Sequence, residues 1–109
     1  MATYTPKNLI GPAAALTSAA TTYVSPAGGF GVIRTIIATA QTTAITLTVA
    51  LGADAAGTRI IAGTALTNAV PYIVNGWIIT PTNSAHAIDA TSNATGTNCI
   101  CNISGYEYV

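Results

Sequence analysis

Between Ile45 and Leu51 the chain alternates strictly: Ile45, Leu47, Val49 and Leu51 are apolar, whereas Thr46, Thr48 and Ala50 are small or hydroxylated. A period of two sends successive side chains to opposite sides of an extended backbone, so this run predicts a β-strand with one face in a core. Similar short runs rich in β-branched residues recur along the chain, separated by Gly, Pro, Asn and Ser clusters, and no stretch carries a helical period. Residues 22–24 form a short strand closed by Ser25-Pro26-Ala27-Gly28-Gly29. Residues 30–39 form a long one, with Phe30, Val32, Arg34, Ile36 and Ala38 on one side and Ile33 and Ile37 on the other. A strand at 58–61 ends near Gly63, and residues 70–74 and 77–80 read as a hairpin about Asn75-Gly76, the preferred pair for a type I′ turn. Residues 85–90 and 97–104 complete the set, the latter with Cys99, Cys101 and Ile103 on one face, and residues 106–109 continue it.

Seven to eight strands in 109 residues predict an all-β domain, a two-layer β-sandwich or jelly roll, with a closed barrel as the alternative. The domain is expected over 21–109. Residues 1–20 mix Pro6, Gly11 and Pro12 with small side chains and read as an extended N-terminal arm that lies against something else.

Only 6% of the residues are charged: Lys7, Arg34, Arg59, Asp54, Asp89 and Glu107, with a net charge of zero. No basic stripe is present to neutralise phosphates, so nucleic acid is not an expected partner. Much of the surface must instead be built from 19 threonines, 21 alanines and the Asn, Ser and Gly residues. With little repulsion to hold copies apart, such a chain is expected to work as a subunit of something larger, a homo-oligomer with a trimer favoured. Long uncharged segments would allow a membrane span by length, but the threonines at 35, 39, 42, 43, 46 and 48 and the strand alternation argue against one. A secretory signal following Lys7 is disfavoured because Gly11-Pro12 interrupts its apolar core.

Catalysis is not expected. His86 and Asp89 are the one acid–base pair close in sequence, and on a strand positions three apart face opposite ways. No nucleophile elbow, phosphate loop or His-Glu-x-x-His pattern occurs. Cys99 and Cys101 read as reduced, buried small hydrophobes; zinc would need four ligands, and His86 could add only one. Neither a cofactor nor a metal is expected. Asp54 and Arg59 are close enough across their loop to form a solvated ion pair. Tyr4, Leu9, Ile10, Trp77, Tyr106 and Tyr108 are the candidate interface residues, apolar or amphipathic groups in the arm, after a turn, or near a chain end.

The opening Met1-Ala2-Thr3-Tyr4-Thr5-Pro6-Lys7-Asn8-Leu9, the Tyr23-Val24-Ser25-Pro26-Ala27-Gly28 turn, the Val32-Ile33-Arg34-Thr35-Ile36 strand and the Gly52-Ala53-Asp54-Ala55-Ala56-Gly57-Thr58-Arg59 loop together resemble short virion-associated proteins of tailed bacteriophages. The similarity covers about the first sixty residues. It implies a non-enzymatic structural protein, synthesised in the bacterial cytoplasm and carried on the virion. The leading form is a capsid decoration or cement protein bound to the major capsid protein or other virion proteins. A tail, neck or fibre component, including a carbohydrate- or receptor-binding module, is the alternative, and for that reading Trp77 should be exposed with Asn or Asp nearby.

Overall fold

The computed structural model describes residues 3–14, 21–93 and 98–109. They form eight strands: β1 (Tyr4–Ala14), β2 (Thr21–Tyr23), β3 (Phe30–Ala40), β4 (Ile45–Ala50), β5 (Arg59–Leu66), β6 (Tyr72–Ile79), β7 (Ile88–Ser92) and β8 (Cys99–Tyr108). These build two four-stranded antiparallel sheets, β1-β8-β3-β6 and β2-β7-β4-β5. Ile33, Ile36, Ala38, Cys101 and Ile103 of the first sheet and Leu47, Val49, Leu66, Ile88 and Ala90 of the second belong to one buried cluster. No helix among the described residues is long and apolar enough to cross a membrane.

Most of the alternating run is β4, and Ile45, Leu47 and Val49 are buried as the period requires; past the irregularity between Val49 and Ala50 the alternation fails, so that Ala50, expected outward, is buried and Leu51, expected inward, lies beyond the strand and is only partly buried. Cys99, Cys101 and Ile103 likewise share the inner side of β8. Four further expectations need correction. Where an arm is expected, residues 4–14 are the edge strand β1, paired with β8, and Leu9 and Ile10 are core residues at 7% and 4% exposure. Prolines are compatible with this because an edge strand leaves one row of backbone groups without ladder partners. Residues 1–2 and 15–20 of the expected arm lie outside the described residues.

The expected hairpin at Asn75-Gly76 is instead one continuous strand, β6, because the runs on both sides of it pair with β3. Asn75-Gly76 marks a bulge: Ile33 pairs with Ile78 and Thr35 with Asn75, so Gly76 and Trp77 together oppose Arg34. Arg34 is itself an insertion relative to β8, where Ile33 and Thr35 pair with the consecutive residues Gly105 and Ser104. The bulge also corrects the predicted faces of β3, since Ile33 and Ile36 now both join the core while Arg34 is exposed. Finally, Gly63 does not end its strand. It takes a φ of 64° within β5, at a bulge where its N–H donates to Thr48 Oγ1.

Candidate functional site

Residues on the outward side of the first sheet come from all four of its strands. Tyr4 of β1 lies opposite Tyr108 of β8, which lies opposite Phe30 of β3; Pro6 pairs with Tyr106, and Tyr106 with Val32. The β3 and β6 bulges bring Arg34 and Trp77 to the same side. The rings form a connected cluster: Tyr4 to Tyr108 at 4.7 Å, Phe30 to Tyr108 at 4.9 Å, Tyr4 edge-on to Trp77 at 5.7 Å, and Trp77 to Tyr106 at 5.9 Å between centroids. Arg34 Cζ stands 5.4 Å from the centroid of the Trp77 ring. Trp77 and Tyr4 are each 49% exposed. Further along the same side of β3 and β6, Ile37 pairs with Ile73, and both are exposed, as is Ile79.

Thus four of the six candidate residues, Tyr4, Trp77, Tyr106 and Tyr108, meet in one place, whereas Leu9 and Ile10 point into the core. Phe30 and Arg34 complete the cluster and were not singled out as interface residues. Arg34 had a signal, a lone charge on a strand of apolar residues that needs either a partner or solvent.

An open cleft of about 490 Å³ adjoins the cluster, lined by Pro6, Lys7, Asn8, Arg34, Ser104, Gly105 and Tyr106. The charges around it are unequal in company. Lys7 Nζ lies 3.1 Å from Glu107 Oε2, which also accepts a 2.7 Å hydrogen bond from the Tyr23 hydroxyl. Arg59 pairs with Asp54 at 2.8 Å, the loop ion pair expected from the sequence. Arg34 makes no ion pair or hydrogen bond among the described residues.

No family model, curated protein or solved structure matches the chain. The outer face of the first sheet is therefore read from its own chemistry. Its rings offer flat apolar contact, and Arg34 offers planar N–H donors.

Two other groupings were candidates. His86 and Asp89 do meet, with Nδ1 at 3.2 Å from the carboxylate, contrary to the strand argument, because His86 sits in the turn before β7. Asp89 is 4% exposed and also accepts hydrogen bonds from Thr22 Oγ1 at 2.8 Å and the Asp54 N–H at 3.2 Å. That arrangement ties β2, the 51–58 loop and the turn to β7. Cys99 and Cys101 are free thiols in the core. Burial pushes both above their ordinary value of 9.0, Cys101 to about 12, so neither supplies a thiolate at neutral pH. Among the described residues no three His, Cys, Asp or Glu side chains converge on a metal-sized site.

Proposed function

We propose that the chain is a non-enzymatic structural subunit of a tailed-phage virion, a decoration protein that sits on the capsid shell as an oligomer and is built as a jelly-roll β-sandwich. The jelly-roll reading is supported by the pairings: β1 with β8, β2 with β7, β3 with β6 and β4 with β5 are the rungs of one long antiparallel ribbon. Rolling that ribbon gives the two observed sheet orders. Viral capsid and lectin domains share this architecture, so the fold narrows the function without choosing it.

The observation that carries the choice is the exposed strip Ile37, Ile73, Trp77 and Ile79 on a molecule with so few charges. An apolar face of this kind marks a contact surface, and contacts made through it resist the changes in salt that would screen ion pairs. The test is cosedimentation with undecorated shells. Wild-type protein is expected to pellet with them at low and high salt, and the Ile73→Asp/Ile79→Asp double variant to stay in the supernatant with an unchanged circular dichroism spectrum. Undiminished binding by that variant would refute the assignment. Deleting residues 1–14 is not an equivalent test, because it removes β1 and the core residues Leu9 and Ile10.

A glycan-binding module is the second reading. It is favoured by the half-exposed Trp77, with Asn75 two residues away and a polar cleft beside the aromatic cluster.

A further inference from the structure

The cleft and the isoleucines of the apolar strip occupy different halves of the first sheet, with Trp77 between them. Ile37, Ile73 and Ile79 lie over β3 and β6, whereas the cleft lies over β1, β8 and the Arg34 bulge. Two register pairs build its floor. Pro6 opposite Tyr106 supplies an apolar wall, and Asn8 opposite Ser104 supplies an amide beside a hydroxyl. Gly105, between Ser104 and Tyr106, adds no side chain.

Polar groups in the cleft are left without protein partners. Among the described residues, the Asn8 amide, the Ser104 and Tyr106 hydroxyls and the Arg34 guanidinium make no hydrogen bond or ion pair. An amide and two hydroxyls can each donate and accept, which suits a ligand whose own hydroxyls do both. Arg34 Cζ stands over the Trp77 ring, and because the guanidinium makes no hydrogen bond or ion pair among the described residues, its N–H groups are free for a planar anion such as a carboxylate. Phosphate would favour several free cations, but the other cation here, Lys7, is already engaged by Glu107. The volume falls within the range of about 300–1,000 Å³ common for small-molecule sites.

We propose that this cleft binds an acidic pyranose, a uronic acid residue of a polysaccharide. Its ring lies against Pro6 and Tyr106, its hydroxyls meet Asn8 and Ser104, and its carboxylate pairs with Arg34. Trp77 acts as a positioning residue that holds the guanidinium over the cleft. The site rests on the glycan-binding reading of this same cleft, and Trp77 borders both the cleft and the apolar strip.

Trp77 is the chain's single tryptophan, so its emission reports on the guanidinium above it. The purified protein is titrated with trimers of galacturonate, glucuronate and mannuronate, with neutral galactose trimers, and with a short oligoglutamate. A saturable change is expected with at least one uronate and not with the neutral sugar. Arg34→Gln should weaken it by about tenfold or more, the scale of a lost charge-assisted contact. Asn8→Ala should weaken it less, and thermal melts check that both variants are folded. The proposal falls if no uronate binds, if the neutral trimer binds equally, or if Arg34→Gln binds as wild type. Tighter binding of oligoglutamate than of every uronate would assign the cleft to an acidic protein partner and also overturn it.

Discussion

The two sheets follow one rule on their inner sides and different rules on their outer sides. Inward, both present Ile, Val, Leu, Ala and Cys to a single core. Outward, the second sheet presents Thr46, Thr48 and Thr91, all partly covered, with a single exposed isoleucine, Ile60, on its edge strand among the described residues, and the 51–58 loop folds back so that the Asp54 N–H reaches Asp89 on β7. The first sheet presents aromatic rings, exposed isoleucines and one unpaired arginine. The chain thus supplies its own cover for part of one sheet and none of the described residues covers the cluster on the other. Core packing explains the alternation common to both, but it does not explain an apolar outer face, and that is why the functional reading rests there.

The largest expected effect would break the first sheet from within. At Gly105 the β8 backbone passes so close to β3 that a Cβ would collide with the Val32 carbonyl oxygen, a backbone atom that cannot swing aside. Gly105→Ala is therefore expected to cost about 3 kcal/mol, at the upper end of overpacking effects, and to lower the denaturant midpoint accordingly. Gly76→Ala is its control. A Cβ there would meet Ile78 Cγ1 at 3.9 Å, an ordinary contact, so a near-wild-type midpoint is expected. Equal midpoints for the two variants would show that the close approach at Gly105 is not what fixes the β3–β8 spacing.

The next effect belongs to the second sheet alone. Removing the buried Asp89 carboxylate strands the Thr22 hydroxyl and the Asp54 N–H, so Asp89→Ala is expected to cost about 2 kcal/mol. It should also speed proteolytic cleavage in the 51–58 loop, while Trp77 emission stays unchanged. A shifted Trp77 spectrum would mean that the two outer faces are coupled, and the contrast between them would lose its force.

How far this was legible in the sequence follows from the same contrast. Inner sides obey periodicity, so β4 and the Cys99, Cys101 and Ile103 face of β8 could be read directly. Strand β1 was hidden because Pro6, Gly11 and Pro12 resemble an arm; an edge position makes them tolerable, and edge position is a non-local fact. Asn75-Gly76 misled because the same pair serves a hairpin turn or a bulge, and only pairing with β3 on both sides decides between them. At the site, aromatic residue types pointed to Tyr4, Trp77, Tyr106 and Tyr108, but Leu9 and Ile10 needed the register with β8 to be placed inside. Arg34 was visible as a charge in want of company. Its place over Trp77 depends on two adjacent bulges, which no local pattern announces.

The smallest effect concerns the contact that links the sheets. The Tyr23 hydroxyl of β2 donates to Glu107 of β8, and Lys7 of β1 joins from the edge. Glu107 is held below its ordinary 4.5, first by the Tyr23 hydrogen bond, with burial opposing and Lys7 adding to it. Tyr23 is raised above its ordinary 10.0, first by burial and then by the bond to Glu107 and its charge. A carboxyl lowered by folding contributes stability above pH 4.5 that is lost as pH falls through its folded value. A phenol raised by folding contributes stability below pH 10 that is lost as pH climbs toward its folded value. Thermal midpoints should therefore decline below pH 4.5, begin to decline above about pH 9, where the buried Cys99 and Cys101 thiols are also raised by folding, and fall further above pH 10 as Tyr23 adds its share. Glu107→Gln is expected to cost about 1 kcal/mol at pH 7, a modest charge-assisted hydrogen bond, and to flatten both declines because one residue contributes to each. A variant that keeps the wild-type alkaline slope would show that burial alone sets the behaviour of Tyr23. The two sheets would then be joined at this end by packing rather than by the bond.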